Sequence, residues 1–198
     1  MAGATVTNYQ ANFTGSGLYV TFPSGLIDNY TAVSVEAWVT TGVIINISWA
    51  RISQFGVSPT TNANSLALND CGSAASCSRG KFDVIWVGST GISYHGSAGV
   101  GFNSQTSLHV LMTVSSRDYA RLYINGVLKG STPSTVNPLP PATAFFIGKS
   151  FQFGDAGLIR SVNEFRIWGG ALSASDIARR YFQGPGKLSN NIFPNDAE

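Results

Sequence analysis

The chain has 198 residues, of which 11% are charged, and a formal net charge of +2 at pH 7. That length suits one large domain able to bury a sizeable core. With few, scattered charges and no basic stripe interleaved with aromatics, a nucleic-acid partner is excluded, and membrane insertion is too, because Glu36 and Arg51 interrupt the most apolar third.

Alternation of apolar and polar residues dominates the chain and predicts strands. GLYVTF (17–22) reads as the first, ending at Pro23-Ser-Gly. AVSVEAWVT (32–40) places Val33, Val35, Ala37 and Val39 on one face and Ser34, Glu36 and Trp38 on the other. VIINISWARISQFG (43–56) is long enough for one bent strand or two. NSLALN, KFDVIWVG and GISYH follow between Gly/Ser/Asn loops, and SLHVLMTVS (107–115) is a further strand. Residues 119–131 form a hairpin, because Asn125-Gly126 supplies the positive φ angles of a tight primed turn. STPSTVNPLPPAT is too rich in proline for a central strand. AFFIGKS and LIRSVNEFRIW complete the strands.

One helix is predicted, in LSASDIARRYF, with Ser173 as N-cap, Asp176 three residues on and a Gly184-Pro185 stop. Ile177 and Tyr181 would bury one side, with the helix capping an end of the molecule. The pattern predicts an all-β, two-sheet antiparallel jelly-roll sandwich with one short C-terminal helix. The domain spans 1–185, and 186–198 reads as an extension or linker.

Cys71 and Cys77, in DCGSAASCSRG, are read as a local disulfide; so short a loop would stabilise by under ~3 kcal/mol. Asn12, Asn29 and Asn46 each begin an Asn-x-Ser/Thr acceptor sequence. Together these features point to an extracellular, cell-surface or virion-surface setting. MAGATVTNYQ lacks the basic start and apolar run of a signal peptide.

SVEAWV, HVLMTVSSRDYARLYINGVLKG, FFIGKS and VNEFRIWGGALSASDIARRYFQGP occur in an order that resembles the laminin-G-like, concanavalin A-like lectin/glucanase jelly-roll family. The resemblance covers roughly residues 15–185, and its most specific part is the final strand, turn and helix. It implies a carbohydrate- or protein-binding accessory domain or adhesion unit. Two positions depart from the pattern: Asn163 and Gln54 stand where the family commonly has acidic residues, which weakens any inherited calcium site.

Glu164, Arg166 and Trp168 project from one face of their strand, as Glu36 and Trp38 do from theirs. A glycoside hydrolase would use such glutamates as an acid and base pair. The chain holds three glutamates and no strand carries more than one. An adjacent arginine would also depress a carboxylate pKa, which is wrong for a general acid. Glu36, Glu164 and Arg166 are therefore read as a structural ion-pair network, and no catalytic residue is assigned. His109 is read as structural. No Gly-x-Ser-x-Gly elbow occurs, and GKS at 148–150 lacks the first glycine of a phosphate loop.

The fold family can hold calcium with loop carboxylates and carbonyls, for which Asp28, Asn29, Asp118 and Asp155 are the candidates. Each has the ordinary alternative of bonding its own turn. Sugar recognition needs exposed aromatics beside polar groups, and Trp86, Tyr94, His95, Asn103 and Phe153 lie in or beside loops that could supply them. An aromatic in a sandwich is more often core, as for Trp86. The expected role is a non-enzymatic binding or adhesion module for glycans or glycoproteins. The competing role is a subunit of a capsid, filament or coat that contacts neighbouring subunits, and the least favoured is a glycoside hydrolase.

Overall fold

The fold is given by a computed structural model. It describes residues 5–7, 10–15, 17–40, 50–57, 65–70, 82–87, 93–97, 107–116, 118–133, 142–152 and 154–186. Strands β1 (Thr5–Thr7), β2 (Gln10–Thr14), β3 (Val20–Thr21), β4 (Ala32–Thr40), β5 (Ala50–Gly56), β6 (Ser65–Asp70) and β7 (Phe82–Val87) lead into β8 (Ser93–Ser97), β9 (Ser107–Ser115), β10 (Tyr119–Ile124), β11 (Val127–Pro133), β12 (Ala144–Ile147) and β13 (Ile159–Gly169), and helix α1 (Ala174–Gln183) comes last. They form a seven-stranded sheet, β1-β2-β13-β4-β9-β10-β11, and a six-stranded sheet, β3-β12-β5-β6-β7-β8, with every pairing antiparallel.

The core lies between the sheets. Val33, Val35, Ala37 and Val39 of β4 meet Ile52 and Phe55 of β5, Leu66 and Leu68 of β6, and Phe145 of β12. This is the face that alternation in 32–40 assigned inward. β1 and β2 carry no comparable pattern and were not predicted; β2 is held by pairing with β13 instead.

Two turns depend on glycine. Asn125 (φ 51°) and Gly126 (φ 76°) make the predicted primed turn, and a Cβ at Gly126 would come within 3.2 Å of Ala178 and Tyr181 of α1. At Gly148 (φ 83°), after β12, a Cβ would fall 2.6 Å from the Phe13 ring.

The helix begins and ends where expected. Ser173 Oγ accepts the Asp176 amide at 3.1 Å, and Gly184 donates back to the Arg180 and Tyr181 carbonyls. Its position differs from the expectation. Rather than capping an end, α1 lies across the outer face of the seven-stranded sheet, where Leu172 and Ile177 pack with Leu111, Tyr123 and Trp168. Ser34, Glu36 and Trp38 are therefore buried although they face away from the main core. Among the described residues no helix is long and apolar enough to cross a membrane.

Candidate functional site

Glu36 lies on the sheet face that α1 covers, and Glu164 lies beside it on β13. The β4–β13 register sets Arg166 opposite Glu36, and Glu164 opposite Trp38. Glu36 is 1% exposed. Trp168 Nε1 donates to its Oε2 at 2.9 Å, while His109 Nε2 (3.1 Å) and Arg166 (3.5 Å) reach Oε1. An ionised carboxylate only accepts, so His109 carries its proton on Nε2. Burial pushes the Glu36 carboxyl up, but bonds from His109 and Trp168 and the charges of His109 and Arg166 outweigh it, leaving the pKa below the usual value.

Arg166 also holds Glu164 at 2.6 Å, and the second oxygen of Glu164 accepts the Gly186 amide at 2.9 Å. The segment leaving α1 is thereby tied to β13 one residue past the expected boundary at 185. Tyr181 stacks on both Trp38 and His109, with centroids 6.1 Å apart in each case, and the Arg180 guanidinium sits 3.7 Å over the Trp168 ring. Chemically this arrangement clamps a helix onto a sheet. A general acid needs a raised pKa and an open approach, and Glu36 has neither.

The six-stranded sheet carries a different polar group on the side away from the core. Arg51, 1% exposed, donates to Gln54 Oε1 at 3.1 Å and pairs with Asp155 at 3.0 Å. Gln54 Oε1 also accepts the Phe151 amide at 3.0 Å, and Ser150 donates to Asp155 at 2.6 Å. Burial pulls the Arg51 pKa down to about 10, opposed by the Asp155 charge, so it stays protonated at neutral pH. This network fixes the loop after β12 onto β5. Gln54, noted as a departure from the family pattern, serves as its acceptor. Sequence reasoning missed the network because its partners are 104 positions apart.

The candidate calcium ligands do not come together. Asp28 accepts the Ala142 amide at 2.9 Å, Asn29 is an exposed turn residue at φ 71°, Asp118 pairs with Arg121 at 3.5 Å, and Asp155 is committed to Arg51 and Ser150. Among the described residues no three His, Cys, Asp or Glu side chains are placed to share a metal ion.

Of the aromatic candidates, Trp86 lies in β7 and Tyr94 in β8, with His95 beside it, in segments the alternation reads as strands. Trp86 in β7 is paired with Leu66 on one side and Tyr94 of β8 on the other, and His95 is paired with Ile85. β8 is the edge of the six-stranded sheet. Asn103, Phe153, Cys71, Cys77 and Asn46 lie outside the described residues. Of the acceptor asparagines, Asn29 is exposed, whereas Asn12 lies half-buried within β2 and accepts from Ser161 Oγ at 2.5 Å.

Two antiparallel sheets in this order, with a core between them, define a concanavalin A-like jelly roll. The model of the concanavalin A-like lectin/glucanases superfamily matches residues 14–178, and the chain belongs to that family. No curated protein matches the sequence significantly. Among solved structures it is similar to the receptor binding domain of botulinum neurotoxin mosaic serotype C/D (16% identity, TM-score 0.69), over 92% of this chain and 45% of that one. It also resembles domain 4 of AbnA, an extracellular arabinanase from Geobacillus stearothermophilus, in complex with arabinotriose (19% identity, TM-score 0.65, 86% and 75% of the two chains). A third similar structure is Trypanosoma rangeli sialidase (16% identity, TM-score 0.66, 90% and 28%). The chain thus spans under half the length of the neurotoxin and sialidase chains, and at these identities the likeness is one of fold.

Proposed function

We propose that the chain is a non-enzymatic, carbohydrate-recognising module working outside the cell or on a particle surface. The observation that carries this reading is the sealing of Glu36 beneath α1, bonded to His109, Arg166 and Trp168. The family contains both lectins and glucanases, and in this chain Glu36 and Glu164 are both paired with Arg166. Similarity to an arabinotriose-bound domain supports a glycan ligand, as does similarity to a botulinum neurotoxin whose cell entry depends on two ganglioside molecules. A glycan array probed with and without calcium tests the proposal. Binding to at least one sugar class is expected, and a blank array in both conditions would overturn it.

A second reading, contact with a protein neighbour, is favoured by exposed apolar side chains. Phe182 on α1 is 84% exposed, and Val127 and Leu128 are exposed on β11, the edge of the seven-stranded sheet. Light scattering across a concentration series tests it: concentration-dependent association that Phe182→Ser abolishes is expected, and a strict monomer would count against it.

A further inference from the structure

We propose that Tyr19, Phe146 and Lys149 form a binding site for an acidic sugar, a pyranose bearing a carboxylate or a sulfate. The inference deepens the glycan-binding reading and rests on it. The three side chains lie at one end of the six-stranded sheet, where β12 pairs with β3. Tyr19 and Phe146 meet edge to face with centroids 5.5 Å apart, and both are half-buried. Phe146 is braced on its other side by the buried Phe151, 5.5 Å away at 85°, whose amide is held by Gln54. The rings are thus fixed before any ligand arrives, which lowers the ordering cost of binding.

Lys149 supplies the charge. Its Nζ lies 4.4 Å from the Tyr19 centroid and 4.9 Å from that of Phe146. Its backbone follows the left-handed turn at Gly148, whose amide donates to Ile52, and precedes the buried Ser150. Among the described residues no carboxylate lies within ion-pair distance of Lys149. The nearby Asp155 is already bonded to Arg51 and Ser150. Arg121, by contrast, stacks on Tyr119 while paired with Asp118.

A pyranose offers an apolar C–H face and a polar rim, so it stacks on aromatic rings while an anionic substituent seeks a cation. A cation over aromatic rings is held more weakly than in a charge-assisted hydrogen bond, so a carboxylate or sulfate outcompetes the rings for the ammonium of the half-buried Lys149. The geometry therefore provides two braced rings with one ammonium lying over them, which an acidic substituent would draw off the ring faces that the sugar then covers.

The test titrates the full chain with trigalacturonate, a sulfated trisaccharide, neutral galactotriose and arabinotriose. At least one acidic probe should bind about tenfold more tightly than the neutral ones, as one charge-assisted contact allows. Lys149→Gln should erase that preference while leaving the melting temperature unchanged, and Phe146→Leu should weaken acidic and neutral binding together. A preference for the carboxylate alone or for the sulfate alone supports the site and says which anion it takes. Sugar binding untouched by both substitutions overturns the site and leaves glycan recognition standing. No binding to any of the four probes overturns the site, and the glycan array then decides the broader reading separately.

Discussion

The outer faces of the two sheets carry charged residues to different ends. On the seven-stranded sheet, Glu36, Arg166, His109 and Trp168 are enclosed by α1, and each charged group faces an opposite charge or a hydrogen bond. On the six-stranded sheet, Arg51 and Asp155 fix a loop, and at the margin of that loop Lys149 keeps a charge unmatched by any described carboxylate. A buried charge is tolerated only when paired, whereas a half-exposed one can remain available to a ligand. The same residue types therefore fasten on one face and can recognise on the other.

Substitutions can break or sharpen this contrast. Glu36→Ala should have the largest effect, because Arg166, His109 and Trp168 lose a common buried acceptor. Removing one member of a buried pair costs about 3–5 kcal/mol, measurable by urea unfolding. Ile177→Ala, which empties the contact between α1 and Leu111, should cost about 2–4 kcal/mol in the same assay. If either proves neutral, the helix is not sealing that face.

Acid should act next. The Glu36 pKa is lower folded than its ordinary value of 4.5. Its contribution is therefore fully present above that value and is lost as pH falls through the lower folded pKa. Stability should decline below about pH 4.5 in wild type, and Glu36→Gln should flatten that part of the profile; an unchanged slope would mean that other groups dominate acid unfolding. Ser173→Ala, removing the N-cap, should cost about 1 kcal/mol. Lys149→Gln, on the opposite sheet, should change stability by less than about 0.5 kcal/mol. A large loss there would make Lys149 a fastener too and erase the contrast.

Much of the sandwich was legible because strand alternation has a period of two and the core reads it directly. Val33, Val35, Ala37 and Val39 are buried as their spacing requires, and Asn125-Gly126 announces its own turn. Glu164, Arg166 and Trp168 could be assigned to one face for the same reason, and their meeting with Glu36 follows once β13 pairs with β4. β1 and β2 were invisible because β2 takes its order from pairing with the distant β13, and β1 from pairing with β2. Trp86, Tyr94 and His95 fall in β7 and β8, in keeping with the strand reading of KFDVIWVG and GISYH.

Local chemistry in the chain is enough to set most of the strands, the tight turn and the helix with its Ser173 cap, since each depends on neighbours a few positions apart. Which face the helix covers, which carboxylates are neutralised and which lysine is left over depend on contacts between residues separated by 100 positions or more, such as Arg166 with Glu36, 130 apart, and Arg51 with Asp155, 104 apart. Such contacts exist only after the sheets have closed, because solvent-screened charges at those separations in an open chain exert almost no force on one another.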